Sequence, residues 1–162
     1  MAIDIKDETF KEVVDRHSDM VRRICFLYLR NYADVEDVFQ DVFLKFFLYE
    51  KPFESSEHEK AWICRITINR CKDICKSIFY KKVCSLDALE LPTEDKTESE
   101  ILRAVLSLPP KYKDVIYLYY YEKYTAAEIS KFINQKENTV FTKLHRAREL
   151  LRRKLRGRDY DF

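Results

Sequence analysis

Glycine occurs only once in this chain of 162 residues, at Gly157. Phosphate-binding loops and dinucleotide folds need glycines at fixed positions, so the sequence excludes both. Hairpin-rich β folds are disfavoured as well, because the tight turns that join their strands rely on glycine. The chain also has only four prolines, and 36% of its residues are charged. Few helix breakers together with many charged residues predict an all-α fold.

Proline placement and composition divide this all-α chain into two small helical domains. We predict an N-terminal domain at 1–82, an acidic linker at 83–98 and a C-terminal domain at 99–162. The linker segment lacks helical periodicity and contains Pro92. Both features are typical of a connection between domains rather than of a helix.

The net charge of +2 is distributed unevenly along the chain. Residues 60–82 carry seven basic residues against one acidic residue, and residues 136–158 carry nine against two. Between them, residues 83–100 carry one lysine against six acidic residues. Two basic blocks around an acidic segment suggest two surfaces that face nucleic acid. Charged helix faces that only keep the protein in solution would give a similar pattern.

The first residues and the cysteines favour a cytoplasmic protein. The chain begins with acidic residues, where a secretory signal would need a basic and then an apolar stretch. Its longest apolar run, at 115–121, is too short to cross a bilayer. We therefore do not expect this chain to be a membrane protein. Five cysteines without an export signal are expected to be reduced thiols.

Three of the cysteines, Cys64, Cys71 and Cys75, are spaced so that they lie on one side of a helix. A metal or redox site is conceivable there, but no histidine lies beside them at ligand spacing. Small buried side chains are the better interpretation. We therefore predict no metal and no cofactor.

A first helix is predicted between Tyr32 and Phe47. Its apolar residues follow the 3, 4 spacing of one buried face: Val35, Val38, Phe39, Val42, Phe43, Phe46 and Phe47. On another face lie Asp37, Gln40 and Asp41, at positions i, i+3 and i+4. These three acceptors suit the arginines of a partner helix, although spacing alone favours an ordinary solvated face.

The next predicted helix, at 60–80, has an apolar and a basic side. The inward side is expected to hold Ile63, Ile66, Thr67, Ile74 and Ile78. The opposite side is expected to hold Arg65, Asn69, Lys72 and Lys76. A basic strip with one amide suits phosphates and a base edge. Trp62, at the border, could stack on an unpaired base, but packing beside Ile66 is the safer interpretation.

The C-terminal block contains a helix-turn-helix pattern. Thr125 and Glu128 form a predicted capping box at the start of a short helix, and a new helix begins near Glu137 after a turn at 134–136. The outer side of this second helix is expected to hold Thr139, Thr142, Lys143 and Arg146. The concentration of basic residues in this helix favours DNA binding.

The pattern of these segments resembles a known family. The segments that resemble the first domain of bacterial sigma factors of the extracytoplasmic-function (ECF) group are Val35–Lys45, Phe53, Ala61–Ile66 and Asn69. The segments similar to the C-terminal domain of that group are Leu106–Pro109, Glu128–Ser130, Thr139–Val140 and Arg146–Arg148. The resemblance covers nearly the whole chain, in order and with matching separations.

The resemblance implies a role for each surface of the first domain. The face of Asp37, Gln40 and Asp41 would dock on the clamp helices of the β′ subunit of core RNA polymerase. The loop at 48–59, together with Asn69, would hold a base flipped from the −10 promoter element. Lys72 and Lys76 would face the phosphates of the opened strand.

For the second domain, the resemblance implies that the basic helix enters the major groove at the −35 element. Thr142, Lys143 and Arg146 are the expected contacts, with Thr139 near the DNA backbone. Members of the family are commonly held inactive by an anti-sigma factor, so such a partner is expected as well.

Several residues depart from the pattern of the family. Lys123 and Asn134 stand where glycine is frequent, and Lys136 stands where a serine usually caps the helix. Phe141 replaces a polar or basic residue at a position that commonly contacts DNA. It would either touch a thymine methyl group or pack locally.

The sequence indicates binding rather than catalysis. No nucleophile–base pair occurs, and the three histidines are scattered along the chain. We therefore predict a sigma factor with core polymerase and promoter DNA as partners, not an enzyme, and no small-molecule substrate. A rival is a helix-turn-helix regulator that acts without polymerase and uses residues 8–80 to dimerise or sense a ligand. A weaker one is a metal- or redox-responsive module.

Overall fold

The computed structural model describes residues 3–77 and 96–155 as helices and short connections, with no strand among them. The backbone divides into two compact units, Met1–Ser77 and Ile78–Phe162. The predicted all-α fold of two helical domains is therefore confirmed. The predicted linker at 83–98 lies almost wholly outside the described residues, so its boundaries stay a prediction.

Three helices make up the N-terminal unit: α1 (Ile3–Tyr28), α2 (Tyr32–Leu48) and α3 (Ser56–Cys75). Their apolar faces meet in a core whose fully buried members include Val21, Ile24, Leu29, Val38, Ile63 and Ile68. At one end Glu59 of α3 joins α1, because its Oε1 lies 3.0 Å from Arg16 Nη1 and 2.8 Å from His17 Nε2. These two contacts connect the first turn of α3 to the middle of α1.

The apolar side of α3 differs from the predicted one. Ile63 and Thr67 are buried as expected, but Ile66 and Ile74 are only half-buried. Ile78 lies outside the described residues. The remaining buried positions of α3 are held by Cys64, Ile68, Cys71 and Cys75. The helix is therefore rotated toward its cysteines, and the prediction that these are small buried side chains is confirmed.

Helix α3 also begins four residues earlier than predicted, at Ser56 rather than Lys60. Ser55 is the N-cap, and its side chain accepts a hydrogen bond of 3.1 Å from the backbone N–H of His58. The polar first turn gave no hydrophobic periodicity, so only this cap marked the start of the helix. The predicted loop at 48–59 is consequently shorter and runs from Tyr49 to Ser55.

The described part of the C-terminal unit consists of α4 (Lys96–Leu106), α5 (Pro110–Ile116), a π-helical turn (Tyr117–Tyr121), α6 (Ala126–Phe132) and α7 (Glu137–Lys154). Its fully buried side chains include Val115, Leu118, Ile129, Val140, Leu144 and Leu151. Pro110 occupies the first turn of α5, where its missing N–H costs nothing. The core therefore joins α5, α6 and α7.

The capping box of α6 is confirmed. Thr125 Oγ1 accepts from the Glu128 N–H at 3.2 Å, and Glu128 Oε2 accepts from the Thr125 N–H at 3.0 Å. Two backbone donors at the start of α6 are thereby satisfied. This fixes the entry into the helix-turn-helix.

Two residues other than glycine adopt the left-handed backbone conformation, with positive φ. Lys123 has φ 63° and Asn134 has φ 53°. These are the two positions where the sequence departs from a frequent glycine. Asparagine tolerates such angles, whereas lysine adopts them at a cost.

We expect Lys123→Gly to raise the free energy of unfolding of the C-terminal unit by about 1 kcal/mol, because glycine relieves the left-handed strain. Urea unfolding followed by circular dichroism would measure the change. Lys131→Gly, inside α6, is the matched control and should lower stability by about 1 kcal/mol. Equal destabilisation by both variants would contradict the strain at Lys123.

Candidate polymerase and nucleic-acid interfaces

The acidic face predicted on α2 is present in the structure. Asp37 and Gln40 are exposed, and Asp41 is half-buried. Asn31 begins this helix by accepting a 2.8 Å hydrogen bond from the Ala33 N–H through its side chain. On the other side, Val35, Val38, Val42 and Phe43 are buried against the core. The apolar positions of α2 therefore hold Asp37 and Gln40 toward solvent.

Asp41 differs from the other two members of the face because it is bound to α3. Its Oδ2 accepts a 3.1 Å hydrogen bond from Arg70 Nε, with both side chains partly exposed. Part of its negative charge is thus compensated within the domain. Asp37 and Gln40 form the more available part of the acidic face.

The acidic face continues into two exposed leucines that the sequence did not single out. Leu44 and Leu48 are 56% and 66% exposed. Together with Asp37 and Asp41 they follow the 3, 4 spacing of one helical side. That spacing was visible in the sequence, but the stronger apolar pattern of the buried side concealed it. An apolar patch beside two acceptors is typical of a protein-binding surface.

The predicted basic strip runs along α3. Arg65, Asn69 and Lys76 are exposed, and Lys72 is half-buried. The strip is mildly interrupted by Asp73, whose carboxylate lies 3.7 Å from Lys76 Nζ. Because both side chains of this pair are largely exposed, the pair is weak and does not prevent Lys76 from contacting a phosphate. The structure thus places Arg65, Asn69 and Lys72 along α3, and Lys76 at the C-cap of this helix.

The loop between α2 and α3 is held by an aromatic cluster, which we define as Phe46, Tyr49, Phe53 and Trp62. The ring centroids of Tyr49 and Trp62 are 4.7 Å apart, and those of Tyr49 and Phe53 are 5.3 Å apart. Phe46 stacks on Phe53 at 5.8 Å. Trp62 therefore packs within the domain, and its ring contacts Phe46, Tyr49 and Phe53. The cluster gives the Tyr49–Ser55 loop a fixed support.

The turn of the helix-turn-helix is closed by hydrogen bonds across it. Ser130 Oγ donates to the Gln135 carbonyl at 2.6 Å, and the Gln135 N–H donates to the Ser130 carbonyl at 3.0 Å. Asn134 sits between them in its left-handed conformation. Lys136 is the N-cap of α7 and makes no side-chain capping bond, as predicted from its sequence. The angle between α6 and α7 thus rests on this closed turn.

The outer side of α7 agrees with the prediction for three of four residues. Thr139, Thr142 and Arg146 are exposed, while Val140, Leu144 and Ala147 are buried. The hydroxyl of Thr142 donates to the Asn138 carbonyl at 2.9 Å. Thr139 lies in the first turn of the helix, where backbone N–H groups favour a phosphate.

Lys143 does not lie on the outer side, and its predicted placement was wrong. Its side chain is 16% exposed, and its Nζ lies 3.9 Å from Oδ2 of the fully buried Asp114. The ammonium thus faces a buried carboxylate on α5 rather than open solvent. Lys143 thereby connects α7 to α5.

The cysteines of the N-terminal unit belong to its core. Cys25 and Cys71 are fully buried, with their sulfur atoms 4.0 Å apart, and Cys75 Sγ lies 3.4 Å from the Tyr28 carbonyl oxygen. The hydrogen bond to Cys25, and then burial, raise the pKa of the Cys71 thiol. Cys84 lies outside the described residues. Within 3–77 and 96–155, no group of three or more histidine, cysteine or acidic side chains has the geometry to hold a metal ion.

We expect Cys25 and Cys71 of the native protein to resist alkylation by iodoacetamide, because only a thiolate is nucleophilic and both groups are buried. Mass mapping of modified peptides with and without urea would test this. The cysteine introduced by Asn69→Cys, at an exposed position of the same helix, is the matched control and should react rapidly. Reaction of Cys71 at the rate of this control would contradict the burial of the pair.

A helix that crosses a bilayer must be long and apolar. Along the described parts of the chain, no helix combines the length and the apolar character that crossing a bilayer requires.

Two family models match the chain in order. The model described as Sigma-70 region 2 matches residues 13–77, and the model described as Sigma-70, region 4 matches residues 98–151. The first match ends where the first compact unit ends, and the second contains most of α4 and all of α5 and α6. The acidic face and the basic strip thus lie in the first matched region, and the helix-turn-helix lies in the second.

Curated relatives are similar over almost the full length. The ECF RNA polymerase sigma factor SigW of Bacillus subtilis is 28% identical, over 92% of this chain and 90% of its own. The RNA polymerase sigma factor SigV of the same organism is 26% identical, over 88% and 89%. Both resemble this chain across the two units rather than in the helix-turn-helix alone.

Solved structures share the fold. The sigma factor RpoE of Bartonella quintana, solved in complex with the anti-sigma factor NepR, has a TM-score of 0.71 at 17% identity and covers 94% of this chain and 99% of its own. CnrH in complex with the cytosolic domain of CnrY has a TM-score of 0.62 at 20% identity and covers 92% and 88%. With both sigma-70 regions matched and the relatives similar over both units, this chain belongs to the ECF group of the sigma-70 family.

Proposed function

We infer that this protein is a sigma factor, which binds core RNA polymerase and directs transcription initiation from specific promoters. The observation that carries this is the presence of both sigma-70 regions, in order, on two helical units that expose different surfaces. A regulator that acts without polymerase would need only the helix-turn-helix. The protein acts by binding and not as an enzyme, so it needs no small-molecule substrate or cofactor.

The acidic face of α2 is the surface for the β′ clamp helices of the polymerase. Asp37 and Gln40 offer exposed acceptors to basic side chains, and Leu44 and Leu48 offer apolar area beside them. Asp41 contributes as well, at the cost of its bond to Arg70. In such an interface the hydrogen-bond acceptors orient the partner, and burial of the apolar patch contributes to the binding affinity.

The basic strip of α3 contacts the −10 element. Lys72, Lys76 and Arg65 supply positive charge for the phosphates of the opened strand, and Asn69 supplies an amide for a base edge. The Tyr49–Ser55 loop next to this helix is supported by the aromatic cluster, so a flipped base meets a surface that is already ordered. Strand opening is then driven by capture of unpaired bases, without ATP.

Helix α7 enters the major groove at the −35 element. Arg146 and Thr142 are the exposed candidates for base edges, and Thr139 is the candidate for a phosphate near the helix N-terminus. Lys143 supports this helix from the inside through Asp114.

The partners follow from this function. Core RNA polymerase and promoter DNA place the protein in the cytoplasm. An anti-sigma factor is a further partner, supported by two solved structures of similar fold. One holds the sigma factor RpoE with the anti-sigma factor NepR, and the other holds CnrH with the cytosolic domain of CnrY.

Transcription in vitro with purified core polymerase, on a library of promoter fragments, tests the function. We expect initiation that depends on this protein. The variant Asp37→Arg/Gln40→Arg should weaken binding to core polymerase at least about tenfold, because it places positive charge against a basic partner surface. This variant leaves the Asp41–Arg70 bond of the domain intact.

Asp19→Arg, an exposed charge reversal on α1, is the matched control and should initiate like the unaltered protein. The isolated protein, with a net charge of only +2, should bind promoter duplex weakly at physiological salt. Tight binding to a palindromic site as a dimer, with no initiation from any fragment, would overturn the sigma-factor function in favour of a regulator.

A further inference from the structure

Helix α7 presents an aromatic ring among its polar outer side chains. We propose that Phe141 is a specificity-determining residue, whose ring contacts the 5-methyl group of a thymine in the −35 element. This inference rests on the proposed function of α7 as the −35 helix. It adds an apolar contact to the polar contacts proposed for the other outer residues of the helix.

The exposure of Phe141 is the first observation. Its side chain is 53% exposed, whereas Val140 beside it is fully buried. An exposed phenyl ring loses the free energy that burial of its apolar area would provide. From the sequence, Phe141 either packs locally or contacts DNA. Its exposure argues against local packing.

The position of Phe141 is the second observation. Helix α7 begins at Glu137, so Phe141 lies in its second turn. The N-terminal part of the second helix is the part of a helix-turn-helix that contacts base edges. The neighbouring positions Thr142, His145 and Arg146 are also exposed, so the ring belongs to the outward side.

The surroundings of the ring indicate which partner it meets. Residues 136–158 carry nine basic against two acidic residues, which suits a polyanion. A protein-binding helix would be expected to expose further large apolar residues, and in the described part of α7 Phe141 is the one that is exposed. In the major groove the thymine methyl is the apolar group that a base pair offers. An apolar ring on a cationic helix therefore matches thymine.

The hydroxyl of the adjacent threonine strengthens this assignment. Thr142 Oγ1 donates its hydrogen to the Asn138 carbonyl at 2.9 Å, so this hydrogen is not available to a base. Thr142 can therefore offer a base edge only an acceptor in this turn of the helix, and Phe141 supplies the apolar contact. Arg146, one turn later, supplies the polar contact.

Uracil in place of thymine removes only the methyl group and tests the contact directly. Promoters that the holoenzyme selects from the fragment library define the −35 element. Each thymine of that element, on either strand, is then replaced in turn by deoxyuridine, and holoenzyme affinity is measured by competition. We expect one replacement to weaken binding about fourfold, the effect of one buried methyl group.

Variants of the full chain connect that loss to Phe141. Phe141→Ala should bind the thymine promoter more weakly and should be insensitive to uracil at the same position, as expected for a directly coupled pair. Phe141→Leu, which keeps an apolar side chain, should retain sensitivity to the methyl group. His145→Ala is the matched control, and should keep the full difference between thymine and uracil. Thermal unfolding should be the same for all variants, because both positions are exposed.

The outcomes separate this inference from the proposed function. Initiation by the holoenzyme together with equal affinity for every uracil promoter, or a −35 element without thymine, overturns the role of Phe141 and leaves the sigma function standing. Unchanged methyl sensitivity in Phe141→Ala overturns it as well. Absence of initiation from every fragment overturns the proposed function, and the inference falls with it.

Discussion

Replacing Asp114 by alanine is expected to lower the free energy of unfolding of the C-terminal unit by about 3 kcal/mol. The carboxylate is fully buried, and its Oδ2 lies 3.9 Å from Lys143 Nζ. Its Oδ1 also accepts a 2.7 Å hydrogen bond from the Val115 N–H. Removing the carboxylate takes a negative charge from beside a lysine that is only 16% exposed and leaves the Val115 N–H without this acceptor.

Urea unfolding resolves this effect, because the single tryptophan, Trp62, lies in the N-terminal unit and Asp114 lies in the C-terminal unit. Circular dichroism should show the loss in Asp114→Ala, while the tryptophan fluorescence transition stays in place. Glu149→Ala is the matched control. Its carboxylate lies 4.0 Å from Arg152 Nη1 with both side chains about half exposed, so its loss should cost below about 1 kcal/mol. Similar losses in the two variants would mean that the Asp114 contact contributes no more than a surface pair.

The second large effect is expected at Ile63, where alanine should cost the N-terminal unit about 3 kcal/mol. The side chain is fully buried between α3 and the other helices, so its removal leaves a cavity as well as lost apolar contact. Ile66→Ala is the natural comparison because the same residue type lies one turn further along α3 but is only half-buried. It should cost about 1 kcal/mol.

Fluorescence of Trp62 during urea unfolding measures both losses. The sequence assigned Ile63 and Ile66 to the same inward side, whereas the structure separates them. Equal losses in the two variants would therefore favour the rotation of α3 predicted from the isoleucines, and would contradict the rotation toward the cysteines.

Features that depend on neighbouring residues were predictable from the sequence. The capping box of Thr125 and Glu128, and the turn at Asn134, are confirmed because each is decided within a few residues. The buried side of α2 was mostly predictable too, since Val35, Val38 and Val42 repeat at helical spacing. The all-α class followed from the lack of glycine.

Features that depend on distant residues were not predictable. Lys143 looks like an outward DNA contact in a basic helix, and only the fold reveals that Asp114 faces it from α5. The rotation of α3 was ambiguous because either the isoleucines or the cysteines of this helix could face the core. In the structure Cys71 and Cys75 pack against α1, and Ile66 and Ile74 are only half-buried. The binding roles of the exposed residues remain predictions.

The π-helical turn at Tyr117–Tyr121 has a consequence for how this domain tolerates changes in length. Its Glu122 N–H donates to the Tyr117 carbonyl at 3.1 Å, five residues back rather than four. Such a turn is equivalent to one extra residue inserted into an α-helix. Relatives that lack one residue in this segment could form a continuous α-helix here. Their helix-turn-helix would then occupy the same position relative to this helix as it does in the present chain. Single-residue gaps in alignments of this family should therefore concentrate at these tyrosines rather than inside α7.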